Sequence, residues 1–142
     1  MKPIVLLSAL ALLGGCTGLP GGGSDAPLLD TRWTAIELEG MAIDSGPGKR
    51  EVHLILRRDD ATASGFSGCN SIRGGYALSD ERLQFKPMAS TRMACLPGAG
   101  DTEQRYHSAL AATAAFRVSG DTLELRDSAG TVRARFQARP RP

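Results

Sequence analysis

The chain has 142 residues, of which 42% are hydrophobic and 23% charged, the profile of one globular, soluble domain. A net charge of +2 gives no broad electrostatic footprint for nucleic acid, and three cysteines are too few for a disulfide-dense mini-protein. With 17 glycines and 8 prolines the chain is turn-rich without being collagen-like or disordered, so a multidomain enzyme, a polytopic membrane protein and a fibre are all excluded.

Met1-Lys2-Pro3 makes a short basic start, Ile4 to Leu13 is apolar apart from Ser8, and Gly14, Gly15 and Cys16 follow. This is the pattern of a secretory signal over residues 1–15. The apolar run falls well short of the roughly 18 residues that a spanning helix needs. Leu13-Gly14-Gly15-Cys16 resembles the bacterial lipobox. That resemblance implies a diacylglyceryl thioether on Cys16, cleavage just before it, and anchoring by several acyl chains, which is durable where a single chain is marginal. The alternative is an ordinary signal peptide with Cys16 incidental. Thr17 stands where Asp would imply retention in the inner membrane, so the resemblance implies the outer membrane, facing the periplasm. Residues 16–27, rich in Gly, Pro and Ser, read as a flexible tether.

The body alternates. Trp33 to Leu38 suggests a first strand, and residues 40–49, containing Gly46-Pro47-Gly48, a loop. In Glu51 to Arg57, Val52, Leu54 and Leu56 share one face, with Ile55 breaking the pattern. Further strands are expected at Ala61 to Gly68, Ile72 to Leu78, and Arg82 to Lys86 with Leu83 and Phe85 inward; Pro87 ends the last. Asp101 to Ala115 is the one good helix candidate, with Asp101 as its cap and Gln104 completing a capping-box variant. Tyr106, Leu110, Thr113 and Ala114 form its inner face. Phe116 to Val118, Thr122 to Arg126 and Thr131 to Gln137 complete the pattern, the last with Val132, Ala134 and Phe136 inward and Arg133 and Arg135 outward. Short strands separated by Gly/Asp turns predict an α+β domain over residues 28–138: a curled antiparallel sheet, a half-barrel of seven or eight strands, packed around one helix. Residues 139–142 read as a frayed tail.

Ser67-Gly68-Cys69-Asn70, Gly74-Gly75-Tyr76, Thr91-Arg92-Met93-Ala94-Cys95, Glu103, Leu110 and Gly120 to Leu125 together resemble the META domain of the HslJ-type heat-inducible bacterial lipoproteins. The resemblance covers roughly residues 29–138, and its motif positions here are Gly68, Cys69, Asn70, Thr91, Cys95 and Glu103. It implies a small β-rich fold, similar in shape to secretin pilot lipoproteins, without an established enzymatic activity, and a link to envelope stress.

If Cys16 is lipidated, Cys69 and Cys95 remain as an even pair, which in an exported protein reads as a disulfide; two buried free thiols are the alternative. Neither His53 nor His107 sits in a catalytic signature beside them. Gly65-Phe66-Ser67-Gly68 has the look of a nucleophile elbow, but Cys69 replaces its last glycine and the background is not α/β. Two separated histidines with an oxidised cysteine pair give no metal site, and no cofactor motif is present. Asn70 reads as a turn residue bonding local backbone, Gly68, Gly74 and Gly75 as residues of backbone geometry, and Glu103 as a partner of the helix dipole, with a binding role as its alternative. The functional expectation is a non-enzymatic, lipid-anchored envelope domain, with the membrane and an envelope protein as partners. The rivals are a pilot-like chaperone holding an acyl chain or peptide in a groove of the sheet, and a small hydrolase or thiol enzyme.

Overall fold

The computed structural model describes residues 23–139. The signal segment, Cys16, most of the tether and the last three residues lie outside the described residues. Ten strands and one helix follow in chain order: β1 Trp33–Leu38, β2 Met41–Ala42, β3 His53–Leu56, β4 Thr62–Phe66, β5 Ser71–Ser79, β6 Arg82–Phe85, β7 Ala89–Ser90, α1 Ala99–Ala112, β8 Ala115–Ser119, β9 Thr122–Arg126 and β10 Val132–Ala138. Every pairing is antiparallel, as short turns between alternating segments require.

The sheet curls as the alternation predicts, and then closes. Its first and last strands pair, Trp33 opposite Ala138 and Thr34 opposite Gln137, so eight strands form a barrel from which β2 and β7 branch. Closure satisfies the two long edges that a half-barrel would leave unpaired. The weakest seam is β6 to β8, registered only at Arg82 and Ala115. The two-residue strands β2 and β7 lie in segments whose composition reads as loop; they exist because a neighbouring strand offers backbone partners, not because of any side-chain pattern.

The interior is filled. Trp33, Leu38, Leu54, Leu56, Leu83 and Phe136 are fully buried, and α1 packs against β1, β6, β9 and β10 through Tyr106, Ala109 and Leu110. The alanines of the helix keep it thin enough to lie close to the sheet. Val52, Leu54 and Leu56 point inward as predicted, whereas Phe85 and Val132 are only half-buried. On the outer face Arg135 bridges Glu37 at 2.7 Å and Glu124 at 3.1 Å, and Arg133 pairs with Glu39 at 2.8 Å. The partly exposed pairs to Glu37 and Glu39 cross the closing seam, while Glu124 ties Arg135 to β9; such pairs fix register more than they add stability.

Three local expectations change. The helix begins at Ala99, entered through Gly98 in the left-handed region at φ 81°, with no side-chain cap. Asp101 lies in its first turn and acts on the dipole instead of capping it, and the capping box with Gln104 does not form. The ordered domain starts before residue 28: the Asp25 carboxylate accepts the Gly120 N–H at 2.7 Å, and Ala26 N–H bonds Gly120 O at 2.7 Å. Arg139 is not frayed, since its N–H bonds Arg32 O at 3.0 Å and its guanidinium lies 3.3 Å from Glu51.

Tyr106 anchors the helix inside the barrel. It is fully buried, its ring meets Phe136 edge-on at 6.5 Å, and its hydroxyl donates to His53 O at 3.0 Å; burial pushes the phenol's pKa upward. Gly65 makes this approach possible, because a Cβ there would lie 2.1 Å from the His53 carbonyl oxygen and 3.0 Å from the Tyr106 hydroxyl. Tyr106→Phe should cost about 1–2 kcal/mol in urea unfolding with an unchanged slope, the loss of one buried hydrogen bond whose acceptor stays behind. A cost below about 0.5 kcal/mol would mean that His53 O is satisfied without the hydroxyl.

Candidate functional site

The motif residues converge at one place. The chain leaves β4 at Phe66, turns through Ser67 to Asn70 and enters β5 at Ser71. Gly68 takes φ +108° there, and a Cβ on it would come within 2.9 Å of Thr102 Cγ2, so the turn needs glycine both for its backbone and for the close passage of α1. Cys69 is bonded to Cys95 with a Cα–Cα separation of 5.3 Å, so the pair is a disulfide and not two free thiols. The bond draws the connection after β7 back onto this turn, which gives the long segment between Pro87 and the helix its order.

Asn70 sits at the centre. Its side-chain amide donates to both carboxylate oxygens of Glu103, at 3.1 and 3.0 Å. Its carbonyl accepts from Met93 N–H at 2.8 Å and from the Thr91 hydroxyl at 2.9 Å. Asn70 is therefore not the local turn residue its sequence position suggests. It links three segments distant in sequence, and its side-chain hydrogen-bonding capacity is used on both sides.

Glu103 projects from the first turns of α1 into the same turn. Ser67 Oγ lies 3.0 Å from Glu103 Oε1 and 2.9 Å from Asn70 O, sharing one proton between them. Ser90 Oγ is 3.4 Å from the same carboxylate oxygen. Burial works against the carboxylate's charge, but the hydrogen bonds from Asn70 and Ser67 and the nearby His107 outweigh it and hold the Glu103 pKa below its ordinary value. The dipole role read from sequence is thus secondary to a defined hydrogen-bond role. His107, one turn along the helix, places Nε2 3.6 Å from Glu103 Oε1.

The chemistry this arrangement offers is limited by its order. Serine, carboxylate and imidazole stand as Ser67–Glu103–His107, with the carboxylate in the middle, so among the described residues the group that meets the Ser67 hydroxyl is a carboxylate and not an imidazole. Ser67 is itself fully buried. His53 has its Nδ1 3.0 Å from Glu51 O, and burial lowers its pKa, with Arg32 and Arg50 adding to the effect. A surface cleft of about 780 Å³ contains none of the motif residues; it lies where Ala26 and Leu29 meet Arg32, Arg58 and Arg139. Its cations are paired, Arg58 with Asp30 and both Arg32 and Arg139 with Glu51.

Sequence comparison decides the family. The family model of the META domain matches residues 26–140. The chain belongs to the META domain family. No curated protein matches it. Among solved structures, an NMR structure of a protein from Burkholderia xenovorans is similar over 87% of this chain and 98% of its own, at 29% identity and a TM-score of 0.66. An NMR structure of a second protein shares the fold at 22% identity and a TM-score of 0.60, covering 78% of this chain and 90% of its own. The positions on which the sequence resemblance rests, Gly68, Cys69, Asn70, Thr91, Cys95 and Glu103, form one contiguous cluster that joins the β4–β5 turn, the β7–α1 segment and the helix. Ser67 and Met93 complete it. Sequence reading missed the role of Ser67, although its position beside the GCN motif was a usable signal.

Proposed function

We propose that this META domain protein is a lipid-anchored bacterial envelope protein, held by acyl chains on Cys16 to the outer membrane on its periplasmic side, with a domain that binds or stabilises and does not catalyse. The observation that carries the reading is Leu13-Gly14-Gly15-Cys16 after a short apolar run. A non-catalytic domain is favoured because the polar groups of the motif cluster are bonded to one another: both Glu103 oxygens accept from Asn70, and the two sulfurs are joined. A function in envelope stress, in the manner of HslJ-type lipoproteins, follows from the family resemblance.

The partner in this reading is an envelope protein, met at an exposed apolar surface. Met93 and Leu96, 63% and 79% exposed, stand on the segment that the disulfide and Asn70 pin, so they are presented at little further entropic cost. A pilot-like chaperone with an open groove is disfavoured by the closed barrel, whose concave face is filled by Trp33, Tyr106 and Phe136.

Cys16→Ser tests the anchor. Expressed in a bacterial host, the unsubstituted chain should partition with the outer membrane and carry the added mass of its lipid. The variant should accumulate as unprocessed precursor or appear in the soluble periplasmic fraction. Equal outer-membrane retention of the variant, at the same processing and without the lipid mass in either protein, refutes the anchor and leaves the domain's own fold untouched.

A further inference from the structure

The segment between β7 and α1 is exposed residue by residue and still held in place. Every residue from Thr91 to Gly98 is exposed. The holds fall on alternate residues. Thr91 N–H bonds Ser71 O at 3.1 Å, and the Thr91 hydroxyl bonds Asn70 Oδ1 at 2.9 Å. Met93 N–H bonds the same Asn70 Oδ1 at 2.8 Å, and Cys95 is joined to Cys69. This two-residue repeat is the period of extended backbone. Arg92 stands between the two residues that share Asn70. Among the described residues no acid pairs with its guanidinium, and the backbone N–H and C=O groups of Arg92 and Ala94 are left free for a partner.

We infer that this segment is the binding loop of an inhibitor of trypsin-like serine endopeptidases, with Arg92 entering the partner's acidic specificity pocket and the Arg92–Met93 bond presented to its serine. The inference names the partner of a domain that binds and does not catalyse, and rests on that reading. An extended chain with free backbone groups is what a peptidase groove takes, and a cation without a partner in its own fold suits an acidic pocket. The holds on Thr91, Met93 and Cys95 order the loop before binding, which lowers the cost of association. They also decide the chemistry. The peptidase's serine oxygen attacks the Arg92 carbonyl carbon, the bond to Met93 N breaks, and the serine's proton passes through the peptidase's histidine to that nitrogen. In an ordinary substrate the new amine diffuses away and water takes its place. Here Asn70 Oδ1 holds the amine, and the disulfide holds the chain two residues on. On the acyl side Asn70 and Ser71 hold Thr91. The amine therefore attacks the acyl carbon at high effective concentration, reforms the peptide bond and returns the proton to the serine. The loop is bound tightly and hydrolysed slowly.

The test uses the full chain carrying Cys16→Ser, with its disulfide intact, against trypsin acting on a small chromogenic substrate, with chymotrypsin as the control. Trypsin should be inhibited and chymotrypsin should not. Arg92→Ala breaks no bond of the fold and should weaken inhibition at least about 30-fold, as loss of an anchoring arginine does. Arg92→Tyr should transfer the inhibition to chymotrypsin. Long incubation should leave a steady mixture of intact chain and chain cut at Arg92–Met93, whose two pieces stay joined through Cys69 and Cys95. Fresh trypsin should return the isolated cut chain to the same mixture. Uninhibited trypsin, equal inhibition by Arg92→Ala, an Arg92→Tyr variant without effect on chymotrypsin, or steady digestion of the chain as a substrate would each overturn the inference. None of these outcomes bears on the anchor, which is read from membrane fractions.

Discussion

Replacing both Cys69 and Cys95 by Ala in the domain should lower its thermal midpoint by about 10–15 °C. The bond closes a loop with a sequence separation of 26, and chain-entropy reasoning assigns a loop of that length about 3.5 kcal/mol. A domain of this size shifts by roughly 4 °C per kcal/mol. Alanine is the right replacement at both positions, because a serine at buried Cys69 would add an unpaired hydroxyl and confuse the result. The loss should also be local. Amide exchange at Met93, whose N–H bonds Asn70, should accelerate more than exchange in β9, which lies on the far side of the barrel order. A midpoint drop under about 3 °C would mean that Asn70 alone orders the segment before the helix, leaving the disulfide a minor part of the stability.

Most of the longer strands were legible because one face is wet and the other dry, which the two-residue strands β2 and β7 are too short and too exposed to show. In β3 and the residue before it, Val52, Leu54 and Leu56 read inward whether or not Ile55 obeys, and the structure keeps that alternation with Ile55 half-buried. Barrel closure was not legible. The pairing of Trp33 with Ala138 joins the two ends of the domain, and no local pattern distinguishes a curled sheet from one whose edges meet. The helix was found from its periodicity, but its start was misplaced by two residues. Sequence rules seek a side-chain cap, and this helix is entered through a left-handed glycine. At the site, the motif identified Asn70 and Glu103 separately and gave each a local role. Their actual roles are long-range: Asn70 reaches Met93 and Glu103, positions it meets only after the chain has gone out through β5, β6 and β7 and returned. The cysteine pair escaped this blindness because covalent chemistry and compartment predict a partner without any need for the fold.

Removing the Glu103 carboxylate should be the second most damaging change and the most informative one. Glu103→Ala leaves the Asn70 amide without both of its acceptors and removes one of the two acceptors near Ser67 Oγ; two buried polar groups losing partners cost about 2–4 kcal/mol. Glu103→Gln keeps the shape but turns one acceptor into a donor that faces the Asn70 amide, so it should recover only part of the loss. The comparison with Gln also isolates the charge. The folded carboxylate has a pKa below its ordinary value of 4.5, so the fold binds that proton less readily than the unfolded chain does. Its contribution is therefore complete above the unfolded value and fades as pH falls through the lower folded value. The stability gap between the parent and Glu103→Gln, measured by urea unfolding, should be constant near neutral pH and should narrow progressively below 4.5. The difference between the two proteins cancels the other carboxylates whose pKa values are also lowered, Glu124 among them. A gap of the same size at low and neutral pH would assign the role of Glu103 to its shape and not to its charge. A gap that widened on acidification would require the carboxylate to be protonated in the fold, which the two short bonds from the Asn70 amide argue against.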